Sequence, residues 1–140
     1  MWKIRIGAGL VLACLLAAQP ARAQTISYAN AVGDLAAACG VDIDKYCKNV
    51  NFGGGRIQQC LNQNQARVSA GCKSTMTQVL AMLQNRANAR ASVLKVCNAD
   101  IRRLCQGVAP GDGNLIDCAV IARRSLSAAC AQAITDAGYW

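Results

Sequence analysis

Two stretches decide the reading of this chain: Cys39-Gly40-Val41-Asp42-Ile43-Asp44-Lys45-Tyr46-Cys47 and Cys97-Asn98-Ala99-Asp100-Ile101-Arg102-Arg103-Leu104-Cys105. They lie 58 residues apart and share both cysteines and the Asp-Ile pair. The register continues beyond them, because Cys60 and Cys72 recur as Cys118 and Cys130 at the same offset. Val50, Gly53, Gly55, Ser69 and Ala70 recur as Val108, Gly111, Gly113, Ser127 and Ala128. One covalent framework is therefore built twice, and its cysteines are cross-links before they are anything else.

Within each stretch the apolar residues follow a helical period. Ile43, Tyr46, Cys47 and Val50 stand at i, i+3, i+4 and i+7, as do Ile101, Leu104, Cys105 and Val108, so one apolar stripe includes the cysteine in both copies. Gly40 or Asn98 is expected to cap the start, with Asp42 or Asp100 in the first turn, where a carboxylate suits the helix dipole. That assigns the shared aspartate a structural place and not a catalytic one.

Phe52-Gly53-Gly54-Gly55 and Pro110-Gly111-Asp112-Gly113 then turn the chain. No strand precedes these glycines and no Gly-Lys-Ser/Thr ending follows, so they do not read as a phosphate loop. Ile57, Cys60 and Leu61, matched by Leu115, Cys118 and Ala119, mark a second short helix, and Ser69 and Ser127 are N-caps for a third. Lys73 to Val96 contains neither proline nor glycine, so that helix can run unbroken into the second copy. With no strand-like alternation anywhere, the fold class is all-α: two tandem disulfide-stapled helical repeats of about 58 residues, at 24–85 and 86–140.

Four cysteines allow three pairings per repeat. A helix between Cys39 and Cys47 separates them by about 12 Å along its axis, beyond the roughly 4.4–6.8 Å Cα spacing a bridge accepts. Of the two pairings left, the glycine turn favours joining Cys47 to Cys60, which leaves Cys39 for Cys72. The expected set is Cys39–Cys72, Cys47–Cys60, Cys97–Cys130 and Cys105–Cys118.

Residues 1–23 read as a secretory signal peptide. Lys3 and Arg5 precede an apolar run from Ile6 to Ala18, and Ala21-Arg22-Ala23 supplies an A-x-A cleavage site. The run is too short for a membrane span, which needs about 20 residues, and no later stretch is long and apolar enough. Cys14, the ninth cysteine, falls inside it and is lost on cleavage. The mature chain from Gln24 then keeps an even eight, which suits a secreted or periplasmic protein in an oxidising compartment.

Its charge is basic. The whole chain carries 15 Lys and Arg against 7 acidic residues, all aspartate, for a formal net charge of +8. A solvated helical surface accounts for much of this. The remaining reading is affinity for an acidic partner, either an anionic glycan or a membrane surface, with Arg102, Arg103, Arg123 and Arg124 as the candidate surface. Nucleic acid is not expected, since no basic run is interleaved with aromatics for stacking.

Histidine and glutamate are absent from the chain. The usual general base and the commonest metal ligand are therefore missing, and no Ser-His or Cys-His nucleophile can form within one chain. The cysteine intervals lack the C-x₂₋₄-C knuckle of zinc ribbons and the C-x-x-C of thioredoxin-like proteins. No enzyme, cofactor or metal site is expected. The leading function is an exported binding or structural module with an unidentified protein or anionic partner; the alternative is a metal- or thiol-handling protein that uses its cysteines reduced.

The pattern C-x-x-D-I-x-x-[YL]-C-x-x-V-x-x-G-x-G, then a cysteine, then S-A-x-C, resembles the cysteine-rich repeat of the Golgi apparatus protein family. It covers 39–72 and 97–130. The large animal members are membrane glycoproteins known as a cysteine-rich fibroblast growth factor receptor and E-selectin ligand, and short exported bacterial proteins with a few such repeats look closer. The resemblance implies a disulfide-bonded helical module working outside the cytosol, with protein or glycan binding in the animal members. This sequence departs from them in having two repeats, no C-terminal anchor segment and no Asn-x-Ser/Thr sequon, so glycan-dependent roles do not carry over.

Overall fold

Ser27, Ser69 and Ser127 start three of the helices. In each case the hydroxyl accepts the backbone N–H three residues on, from Asn30, Cys72 and Cys130 at 3.0, 3.2 and 3.3 Å, the geometry of an N-cap. The computed structural model describes residues 24–139; the expected signal peptide at 1–23 lies outside the described residues. Its elements are α1 (Tyr28–Tyr46), α2 (Arg56–Gln63), α3 (Ala70–Val96), α4 (Asn98–Leu104), α5 (Asn114–Ile121), a 3₁₀ turn at Arg123–Ser125 and α6 (Ala128–Ala137). Among the described residues there is no strand, and the fold is all-α.

The helix expected to begin near Gly40 begins twelve residues earlier, at Tyr28. Gly40 is an interior residue of α1 and caps nothing. A glycine costs a helix about 1 kcal/mol relative to alanine, and the adjoining Leu35-Ala36-Ala37-Ala38 run, with Leu35 and Ala38 packed on the core, outweighs it. In the second copy the cap is Cys97, which also ends α3, and Asn98 is the first residue of α4.

α3 organises the molecule. Its 27 residues span about 40 Å. The boundary expected between residues 85 and 86 falls within α3, which gives Cys72 and Met76 to the first core and Val93 to the second. α1 lies antiparallel on its first half. Cys39–Cys72 joins the two helices at one end, and at the other Asn85 Nδ2 and Arg86 Nη1 donate to the Gln24 and Ile26 carbonyls at 3.2 and 3.4 Å. α6 lies antiparallel on the second half, joined by Cys97–Cys130. There Arg86 Nη2 and Arg90 Nε donate to the Gly138 and Ala137 carbonyls at 3.1 and 2.8 Å. Cations placed on the last carbonyls of α6 satisfy acceptors that the helix itself leaves open.

The cores are small and cysteine-rich. The first has six buried residues, Cys39, Cys47, Cys60, Leu61, Val68 and Cys72, so four of its six buried positions are bridge halves. The second is larger, adding Val93, Ile101, Ile116, Ala119, Ile134 and Ala137 to Cys97, Cys105 and Cys130. At eight residues each, α2 and α5 are too short to persist alone. Each follows a glycine in the left-handed region, Gly55 at φ 72° and Gly113 at φ 84°, where a Cβ is disfavoured, and each is bolted to the preceding helix by a disulfide. The Cα separations are 4.7 Å for Cys39–Cys72 and Cys97–Cys130, and 6.0 Å for Cys47–Cys60 and Cys105–Cys118. The pairing is nested in both copies.

Candidate binding surface

All eight cysteines between residues 39 and 130 are joined in bridges. Among the described residues no cluster of three or more His, Cys, Asp or Glu side chains is placed to hold a metal ion. No helix there is long and apolar enough to cross a membrane. What remains is surface, and its shape follows from how each repeat closes.

The closure depends on the shared aspartate: Asp100 lies in the first turn of α4, as expected, whereas Asp42 does not lie at a helix start. Asp42 lies in the last turns of α1, buried, and its Oδ2 accepts both Ser69 N–H and Ser69 Oγ–H, at 3.2 and 2.7 Å. Asp100 does the same for Ser127, at 3.0 and 2.6 Å. Each aspartate thus holds the N-cap of another helix, 27 residues away. A buried carboxylate is tolerable because its Oδ2 accepts two hydrogen bonds in each copy.

Asp100 has one more donor, Arg103 Nη2 at 2.7 Å. The Ser127 hydroxyl, the Arg103 guanidinium and the Ser127 N–H together hold the Asp100 pKa below its ordinary value of 3.8, against an opposing push from burial. Because the folded pKa is depressed, this stabilisation is fully present above pH 3.8 and is lost as pH falls through the folded value. The melting-temperature gap between wild type and Asp100→Asn is therefore expected to be wide at pH 6 and to narrow below pH 3.8. A gap independent of pH would show that the carboxylate charge contributes nothing.

The same contacts assemble a basic corner at the start of α6. Arg103 Nη2 also donates to the Ser125 carbonyl at 2.7 Å, which brings the last turn of α4 against the 3₁₀ turn carrying Arg123 and Arg124. All four candidate arginines are exposed, but they are not equivalent. Arg103 is committed to Asp100 and Ser125, whereas Arg102, Arg123 and Arg124 are exposed and have no acidic partner among the described residues.

Sequence reading missed a second corner, at the start of α3. The Tyr46 hydroxyl donates to the Arg67 carbonyl at 3.3 Å, the Arg67 guanidinium lies 4.9 Å over the Tyr46 ring, and Lys45 Nζ lies 5.2 Å from its centre. Arg67 is held in addition by Asn64 Oδ1. Lys73 Nζ reaches the Gln65 carbonyl at 3.5 Å, and Lys48 is exposed just beyond Cys47. The 58-residue register carried a clue, since Lys45 occupies the place of Arg103.

An apolar cleft of about 130 Å³ opens beside the first core, lined by Leu35, Ile43, Ile57, Gln58, Met76 and Leu80. Its counterpart in the second repeat has Ile116, buried, where the first has Gln58, exposed.

No protein-family model matches the chain, and no solved structure is significantly similar to it. Among curated proteins it is 29% identical over 72 residues to Golgi apparatus protein 1 of Rattus norvegicus and of Mus musculus, and 28% identical to that of Homo sapiens. In each case the match covers 51% of this chain and 6% of the relative. Over about half its length, therefore, the chain is similar to a small part of Golgi apparatus protein 1, and its four disulfides fit a cysteine-rich repeat of that kind.

Proposed function

We propose that this chain is an exported, non-enzymatic binding module whose cysteines serve only to hold two helical repeats. The observation that carries the reading is the spending of all eight mature-chain cysteines on four bridges in one duplicated frame. Residues between the cysteines differ between copies mostly at exposed positions, which is where a module meets its partner. The lack of histidine and glutamate leaves no conventional acid–base pair for catalysis. Bridges of this density and the similarity to Golgi apparatus protein 1 support an extracellular, periplasmic or lumenal location.

Protein purified from an oxidising compartment should titrate with no free thiols, and peptide mapping should recover no bridge between Cys39 and Cys47 or between the repeats. Used as bait in its own envelope extract, the oxidised module should retain a partner that the reduced chain does not. Several free thiols with bound metal would replace this reading with a metal- or thiol-handling role.

A further inference from the structure

We propose that the module binds a linear anionic polysaccharide along α3, gripping it at two basic corners, one at each end of that helix. The inference rests on the binding-module reading above and adds the class of partner. Lys45, Lys48, Arg67 and Lys73 form the corner where α3 begins, and Arg102, Arg103, Arg123 and Arg124 form the one beyond its end, at the start of α6. The length of α3, 27 residues, puts the corners about 40 Å apart.

The path between them carries no opposing charge. α3 contains no acidic residue, and its exposed positions include Ser74, Thr77, Gln78, Gln84 and Asn88, hydroxyl and amide groups that hydrogen-bond sugar, and the cation Lys95. Asp42 and Asp100, the aspartates within the two corners' own contacts, are buried on Ser69 and Ser127, and Asp44 is exposed beside Lys45. Guanidinium forks match sulfate and carboxylate oxygens. A membrane fits less well. α3 lacks the aromatic residues of helices that lie in a bilayer surface, and its exposed large apolar residues are Leu80, Leu94 and Val96.

Two grips on one chain make affinity depend on polymer length, because the second contact is intramolecular once the first has formed. Long heparin, used as the probe, should bind at least about tenfold more tightly per chain than a heparin disaccharide, which reaches one corner only. Binding should weaken steeply as salt is raised, since exposed charges are screened beyond about 8 Å at physiological ionic strength. The triple variants Lys45→Gln/Lys48→Gln/Lys73→Gln and Arg102→Gln/Arg123→Gln/Arg124→Gln should each bring the long chain down to the disaccharide's affinity. Both leave Arg67 and Arg103 untouched, and because the substituted residues lose only the exposed Lys45–Tyr46 and Lys73–Gln65 contacts, circular dichroism should be unchanged. Equal affinity for long and short heparin overturns the proposal, as does a corner variant that binds long heparin like wild type. Binding to phosphatidylglycerol–phosphatidylcholine vesicles without binding to heparin also overturns it. Should either variant misfold, the length dependence of the wild type alone decides. A module that ignores heparin yet retains a partner from its envelope extract loses this inference and keeps the binding reading.

Discussion

In reducing buffer at 37 °C the mature chain is expected to lose most of its helical circular dichroism. The bridges close loops with sequence separations of 13 and 33 residues, and in the chain-entropy model each contributes roughly 3–4 kcal/mol. Native domains are stable by only about 5–15 kcal/mol in total, so four bridges, even heavily discounted because their loops are nested, match or exceed the whole margin. Packing cannot make up the difference in the first repeat, where cysteines fill four of the six buried positions. The short helices α2 and α5 should melt first. Some residual helicity in α3 is compatible with its 27 residues, although its serine, threonine, asparagine and glycine content keeps an isolated helix weak. Stepwise reduction should open Cys105–Cys118 before the others, because Cys118 is the one of the eight cysteines that is only partly buried. A reduced sample that keeps native helicity and melts cooperatively would show that packing alone holds the fold.

The disulfide frame was legible because it depends on two local quantities, the 3.6-residue period and the 1.5 Å rise, and both can be read from spacing. The Ser69 and Ser127 caps were legible for the same reason, since capping is local chemistry. The first half of α1 was not. Tyr28, Val32 and Val41 are exposed, so apolar residues fall on several faces between 28 and 41, and Gly33 and Gly40 weaken the propensity further. The local rule that sets an acid in a helix's first turn holds for Asp100 in α4 and fails for Asp42, because α1 begins at Tyr28, and it reveals nothing of what either carboxylate binds. Their true partners are 27 residues distant and meet them only through tertiary packing. The clue was the pair itself: an aspartate and a serine recur at that same interval in both copies. The corner built on Tyr46 was hidden for a similar reason, because Lys45 and Arg67 are 22 residues apart in the sequence and only the fold puts both cations on one ring.

Ile134→Ala is expected to cost about 3 kcal/mol, and Met76→Ala, the same position one repeat earlier, about 1 kcal/mol or less. Ile134 is wholly buried in the second core, among Val93, Ile101, Ile116, Ala119 and Ala137. Truncating it removes three carbons from a closed site whose walls include the Cys97–Cys130 bridge and cannot readily collapse. Met76 is partly buried against the first core and lines the open cleft with Leu35, Ile43, Ile57 and Leu80. Its truncation enlarges a space already open on one side, so little closed cavity is created and most of the loss is transfer of a partly buried thioether. The difference traces to the exchange of Gln58 for Ile116, which leaves one repeat open and fills the other. Denaturant melts of the two oxidised variants measure both costs on the same scale. Equal losses, or a larger loss for Met76→Ala, would mean that the two cores are equally closed in solution and that the cleft is filled.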